Sequence, residues 1–433
     1  MPPIQDHPLR YKLANELHAR PFPSLEAPCR AVYLAIKQPR DAASRDRAAD
    51  VVHLTDLLDR YGAPHPQPGA THYSGLIGKH SLKWEQHTEF VTYTVFMEGL
   101  GSRAFDPADF EVFPTDWLER APGVRVTSAM IRVAERPETD RIEAALEDWF
   151  VPESVAVSTV LDDDGVVAGD FRIDTGGHLR FAVFANPGMG ERRIGRIVQR
   201  LCEIETYKAM SMLGFSRVRE IGPRMGEIDG ELTRLMEVMA KGDGGAEEAT
   251  LKALLAASAE LESLSAQVAF RLGATGAYEA IVHQRVSVLR EGRFMGRQTF
   301  AEFMTRRYDP AMRTVKSTAE RLDSMTRRAS RAADLLRTRV EVGRSAQNQQ
   351  LLESMNQRAE LQLQLQKTVE GLSVVAISYY AVSLAGYLLY PVAGWLGISK
   401  GLMTALVTVP VVLLVWAMIR RIRHAVEKSG PDF

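Results

Sequence analysis

Cysteine is nearly absent. Cys29 and Cys202 are the only two in 433 residues. They stand in no metal-ligand or redox spacing, so a reduced cytoplasmic setting suits them and a structural disulfide is not expected. A charge bias is lacking too: 53 Lys and Arg face 54 Asp and Glu. That balance removes the global positive field of a nucleic-acid binder, and nucleic acid is not an expected partner. Met1 to His7 has no basic region running into an apolar one, so no signal peptide is read. Nucleophile elbow, phosphate loop, and kinase and hydrolase signatures are missing. Asn186-Pro187-Gly188-Met189-Gly190 has two glycines without a phosphate-loop lysine, and reads as a strand-to-helix turn. His80, Glu85, His87 and Glu89 crowd one stretch but contain no helical i,i+4 His pair. Asp162-Asp163-Asp164-Gly165 lacks the further ligands of a calcium loop and reads as a hairpin turn. No enzymatic activity, cofactor or resident metal is expected.

What the chain does have lies near its C-terminus. Residues 371–390 and 401–419 carry no charge. A helix rises 1.5 Å per residue, so each stretch can cross a hydrocarbon core of about 30 Å. Tyr379, Tyr380, Tyr387, Tyr390, Trp395 and Trp416 supply rings of the kind that favour membrane interfaces. Arg420, Arg421, Arg423 and Lys428 follow the second stretch, while the connector 391–400 offers Lys400. The positive-inside rule puts the tail in the cytoplasm, and two spans return the large N-terminal part to the same side. The expected setting is the inner membrane of a bacterium, with the lipid bilayer as partner.

A long helix leads into the first span. Proline is absent from Ala311 to Tyr390, and Val315, Ala319, Leu322, Ala329, Ala333, Leu336 and Val340 recur as a helical stripe. Leu361 to Gln366 alternates like a strand but is read as helix from its neighbours. Leucines all around such a helix favour a homo-oligomer, whose number no strict heptad fixes.

The preceding chain reads as α+β with a largely antiparallel sheet. Strands are predicted at Ala31–Lys37, Phe90–Phe96, Val124–Val133, Val155–Leu161, Val166–Ile173 and Leu179–Ala185, by alternation and β-branched content. Helices are predicted over 41–61, Pro114–Arg120, Arg141–Phe150 and Glu191–Leu213. Beyond residue 216 strands give way to helices at Ile228–Met239, Ala246–Phe270 and Tyr278–Leu289, broken by glycines. Residues 301–344 hold eleven Lys or Arg against six Asp or Glu. That mix suits a solvated face paired with acidic neighbours better than an RNA or lipid surface. The domain reading is 1–215 α/β, 216–310 helical, 311–370 stalk, 371–390 first span, 391–400 outer loop, 401–419 second span and 420–433 basic tail.

Two sets of candidate residues stand out. Glu16, His18 and Arg20, in Asn15-Glu16-Leu17-His18-Ala19-Arg20-Pro21, form a polar cluster that reads either as a binding group or as a capped helix securing the N-terminal arm. In the first span Ala376, Tyr379, Ser383, Tyr387 and Tyr390 fall near one helical face. Hydroxyls so placed can line a wet pore or hydrogen-bond between helices.

Asn15 to Pro21, Lys83-Trp84-Glu85, His87-Thr88-Glu89-Phe90, Glu205-Thr206-Tyr207 and Ser378-Tyr379-Tyr380 together resemble a family of bacterial membrane-anchored proteins of unknown function. That resemblance covers essentially the whole chain and implies a C-terminal anchor. The layout also resembles CorA-type divalent-cation channels: an α/β domain, a long helix entering the membrane, a short loop, a second span and a basic tail. It implies a homopentamer, a divalent cation as cargo and a pore lined by the first span. The Gly-Met-Asn signature of those channels is absent. The matching region reads Gly386-Tyr387-Leu388-Leu389-Tyr390-Pro391.

Overall fold

The computed structural model describes residues 4–16, 22–39, 42–241, 247–397 and 399–428. A short helix α1 (Arg10–Glu16) precedes strand β1 (Cys29–Lys37). Helix α2 (Arg47–Arg60) starts at Asp46, whose carboxylate accepts the Ala48 N–H at 2.9 Å, satisfying one of the amide donors a helix start leaves free. Strands β2 (His72–Ile77), β3 (His80–Gln86) and β4 (Phe90–Glu98) form a meander. A 3-10 turn (Pro107–Val112) and α3 (Thr115–Glu119) lead to β5 (Val124–Glu135) and α4 (Thr139–Trp149). Strands β6 (Ala156–Val160), β7 (Gly165–Gly169) and β8 (Leu179–Ala185) complete the alternating section. Then come α5 (Glu191–Lys241), α6 (Glu247–Ser287), a two-residue β9 (Gly292–Arg293), α7 (Phe300–Phe303), α8 (Asp309–Leu396) and α9 (Lys400–Lys428).

Among the described residues the strands make one mixed sheet in the order β2-β3-β4-β1-β5-β8-β7-β6-β9. The pairing of β5 with β8 is parallel, and the others are antiparallel. Alternation along each strand sends side chains to two faces. One face gathers Ala31, Tyr33, Ala35, Ala129, Ile131, Phe181 and Val183 against Ile197, Val198 and Leu201 of α5, Val282 of α6 and Met312 of α8. The other face holds two separate apolar clusters. Val32, Leu34, Leu82, Trp84 and Val95 pack on Leu54, Leu57 and Leu58 of α2 and on Trp117 of α3. Val157, Val166, Ala182 and Phe184 pack on Ile142 and Leu146 of α4. Each fully buried aliphatic side chain contributes about 1.5–3 kcal/mol of transfer free energy.

The structure is therefore α+β with a large mixed sheet, a very long helix and two C-terminal apolar helices. Several predicted elements differ from those observed. Strand β2 has no counterpart among the predicted strands, because His72-Tyr73-Ser74-Gly75 is polar and the strand is a half-exposed edge. The predicted strand Val166–Ile173 stops at Gly169. Asp170 turns the chain there by accepting the N–H groups of Val151 and Arg172, each at 3.1 Å. The helices predicted at Glu191–Leu213 and Ile228–Met239 are one helix, α5, which runs through Pro223 and across residue 215. Likewise α6 continues through Gly273 and Gly276 instead of breaking.

The chain divides into two compact units, Met1–Ala333 and Asp334–Phe433. In the first, the basic stretch finds acidic neighbours: Arg321 pairs with Asp229 of α5 at 2.8 Å, and Arg328 meets the same carboxylate. The second comprises the remainder of α8, through Pro391 to Leu396, and α9. Among the described residues two helical segments are long and apolar enough to cross a membrane. Only 6% of the most apolar 18-residue stretch of each is buried.

Candidate functional site

Lys83 and Glu85 alternate with Leu82 and Trp84 on β3, so they leave the apolar cluster and face the opposite side of the sheet. There they meet one turn after another of α5. Lys83 Nζ lies 3.4 Å from Glu85 and donates to Gln199 Oε1 at 2.7 Å. Gln199 Nε2 donates to Glu203 Oε1 at 2.8 Å. Glu203 in turn accepts from Arg285 of α6. Two cations and two carboxylates thus alternate along one chain spanning β3, α5 and α6, with no surplus charge.

This chain lines a cavity of 220 Å³. Phe22, Phe90, Phe96 and Tyr207 supply its apolar walls, and Tyr33, Thr92, Thr94, Cys202 and Thr206 supply polar atoms. Thr206 donates to the Cys202 carbonyl at 2.8 Å, which leaves its oxygen to accept the Tyr33 hydroxyl at 2.5 Å. Burial is the main reason the Tyr33 hydroxyl pKa rises well above its ordinary value. Burial likewise pushes the Cys202 thiol far up and the distant Cys29 thiol to about 12. Neither thiol is a nucleophile at neutral pH. The cavity can bind and orient a small polar molecule through donors and acceptors in balance.

A second node holds the rim. Glu89, 1% exposed, accepts from Tyr278 at 2.8 Å and from Arg271 at 3.3 Å, both on α6. The loop that presents Glu89 is pinned by Arg45. Its guanidinium donates to the carbonyls of His87 at 2.8 Å and Phe90 at 3.2 Å, and to Asp50 at 3.0 Å. His87 stacks on Phe90 with centroids 4.4 Å apart, and Tyr207 stacks on Tyr278 at 5.5 Å. Of His80, Glu85, His87 and Glu89, Glu85 and His87 line the cavity, Glu89 is held by Tyr278 and Arg271 at its rim, and His80 lies outside it. Among the described residues no group of three His, Cys, Asp or Glu is placed to hold a metal ion.

The residues singled out in sequence fare differently. His18 and Arg20 lie outside the described residues, and Glu16 ends α1; Phe22, immediately after that stretch, is a wall of the cavity. The span residues are in the other unit. Tyr379, Tyr387 and Tyr390 are 70%, 80% and 49% exposed. Ala376 is exposed, and Ser383 donates to the Tyr379 carbonyl at 2.9 Å. Ser378 is the buried residue of that stretch, and its hydroxyl has no partner among the described residues. Sequence reading did not pick out Gln199, Glu203 or Arg285. Their one signal is the i,i+4 spacing of the first two on α5, a spacing common on solvated helix faces.

The neighbouring stretches Lys83–Glu85 and His87–Phe90 meet Glu205–Tyr207, remote from them in sequence, at this cavity and its rim. Compared with known proteins, the chain matches over residues 5–426 the model of a family described as "Protein of unknown function (DUF3422)". No curated protein and no solved structure matches it.

Proposed function

The chain belongs to the DUF3422 family, and we propose that it is a membrane-anchored module whose α+β unit binds a small polar or zwitterionic molecule without turning it over. The neutral chain of alternating charges from Glu85 to Arg285 carries this reading. A cavity lined that way complements a ligand with both donors and acceptors, and disfavours a bare multivalent ion. Its size, below the roughly 300–1,000 Å³ of drug-sized pockets, suits a small metabolite. The protonated thiol and phenol and the paired carboxylates support binding over catalysis. The anchor is the pair of apolar helices, in the inner membrane of a bacterium with both termini cytoplasmic.

The test is a thermal-shift titration of the detergent-solubilised full-length protein with free amino acids and neutral polar metabolites. At least one compound should raise the Tm saturably, and Lys83→Met should abolish the rise. No shift from any compound, or a shift that survives Lys83→Met and Glu203→Gln, would rule the cavity out.

A second reading is an oligomeric CorA-like cation channel with the first span lining the pore. It is favoured by the single helix α8, which runs from residue 309 to the end of the apolar stretch, and by the exposed Tyr379, Tyr387 and Tyr390. It predicts a discrete pentamer by protein-specific mass measurement and divalent flux in vesicles that Ser383→Leu reduces. A monomer or dimer could not enclose a pore with two spans per chain.

A further inference from the structure

The sheet face opposite the cavity carries three arginines on three neighbouring strands. Arg30 of β1 stands directly across from Arg132 of β5. Arg180 of β8 is in register with Met130, two residues from Arg132 and so on the same face. They occupy the seam between the two apolar clusters of that face. Like charges directly opposed on adjacent strands repel, and their compensation here is incomplete. Arg30 is matched: its Nε donates to Asp109 at 2.7 Å, and its head reaches the Gly99 carbonyl at 3.0 Å. Arg180 lies 3.4 Å from Asp170. Arg132 has no carboxylate or carbonyl partner among the described residues. Its Nε and that of Arg180 are sealed from solvent without an acceptor.

The surroundings hold the guanidinium planes in place. Arg132 lies over Trp149 at 5.4 Å and Arg180 over Phe150 at 5.9 Å. Phe105, in the left-handed backbone region at φ 52°, meets both rings edge-on. Burial lowers the Arg132 pKa, Asp109 offsets part of this and Arg30 adds to it. The Arg30 and Arg180 side chains are 22% and 23% exposed, so a small solute can reach them in a sheltered setting.

We propose that this arginine row is a binding site for a phosphoryl group. Guanidinium offers donors and no acceptor. The sealed Nε atoms are out of a solute's reach, but the outer nitrogens belong to a row in which three arginines face two carboxylates, and an anion complements that surplus. A carboxylate presents two oxygens in one plane and is met by one arginine fork. A phosphoryl group presents three oxygens and can accept from forks arriving off separate strands. The source is either a free phosphorylated solute or a lipid headgroup.

The full-length protein in neutral detergent is titrated with inorganic phosphate, with acetate at equal ionic strength, and with dihexanoylphosphatidic acid below its micellar concentration. At phosphate about tenfold above its Kd the Tm rises by about 2 °C; acetate gives less, and Arg132→Gln removes the rise. A rise with inorganic phosphate assigns the site to a free solute. A rise with the short-chain lipid alone, again removed by Arg132→Gln, assigns it to a headgroup. If Arg132→Gln fails to fold, Arg180→Lys replaces it and must weaken the response at least threefold. No rise with either probe, or a rise that these substitutions leave intact, overturns the proposal. The arginines would then be structural stacks on Trp149 and Phe150.

Discussion

Arg45 is 2% exposed at its side chain and Asp50 3%, and the arginine's other donors go to the backbone of the loop carrying Glu89. Breaking a buried pair leaves an uncompensated charge, which typically costs about 3–5 kcal/mol. Arg45→Met should therefore lower stability by about that amount in denaturant unfolding of the full-length protein. A loss under about 1 kcal/mol would mean that Asp50 finds water instead. His53 gives a pH-dependent counterpart. Its Nε2 must hold the proton, since it faces the Trp117 carbonyl at 3.1 Å, and its Nδ1 accepts the Tyr93 hydroxyl at 3.0 Å. Burial lowers its pKa from 6.5. The unfolded chain therefore takes up a proton before the folded one does. The stability from neutral His53 is full above pH 6.5 and is lost as pH falls through the lower folded value. His178 and His80 are lowered in the same direction, also mainly by burial. Melting temperatures should drop between pH 7 and pH 5, and His53→Gln should flatten the slope. An unchanged slope would remove His53 from the acid response.

At the scale of elements, the crossing of α5 and α6 depends on two kinds of glycine that sequence cannot tell apart. A Cβ on Gly214 would sit 2.1 Å from Thr275 Oγ1 and 2.9 Å from its Cβ, whereas one on Gly273 would meet nothing within 4 Å. Gly214→Ala forces the buried helices apart, at a cost of about 1–3 kcal/mol. Gly273→Ala only removes backbone freedom from a helix interior and should stabilise by about 0.5–1 kcal/mol. Opposite shifts in Tm are the expected result, and two shifts of one sign would contradict the crossing. The same glycines explain why α6 was read as two helices. Gly273 and Gly276 open on empty space beside Thr275, which fills the gap Gly214 leaves, so they lower the helix propensity of α6 without ending it.

At the scale of the whole molecule, the proposed membrane anchoring rests on the apolar helices. Leu413, near the middle of α9, is 58% exposed in the single chain. Replacing a central leucine by arginine costs about 3 kcal/mol on insertion scales. Leu413→Arg should shift a measurable share of the protein out of the carbonate-resistant membrane fraction, while Leu255→Arg, an exposed site on α6, should not. Equal partitioning of the two variants would argue against a spanning α9.

Much of this was legible in the sequence for one physical reason: local periodicity reports local structure. Strand β8 spans Leu179–Ala185 as its alternation predicts, and the uncharged runs lie in the long helices α8 and α9, as apolar stretches of that length predict. The Leu361–Gln366 stretch is helical within α8, as its neighbours require. What the tertiary structure alone decided is pairing between distant segments. Lys83 and Gln199 are 116 residues apart and Glu203 and Arg285 are 82 apart, and only Lys83–Glu85 and Gln199–Glu203 are local links. No period in the sequence encodes such a meeting. The arginine row is the same case: Arg30, Arg132 and Arg180 look like three ordinary strand residues until register sets Arg30 across from Arg132. A shift of one residue would turn either of them to the other face.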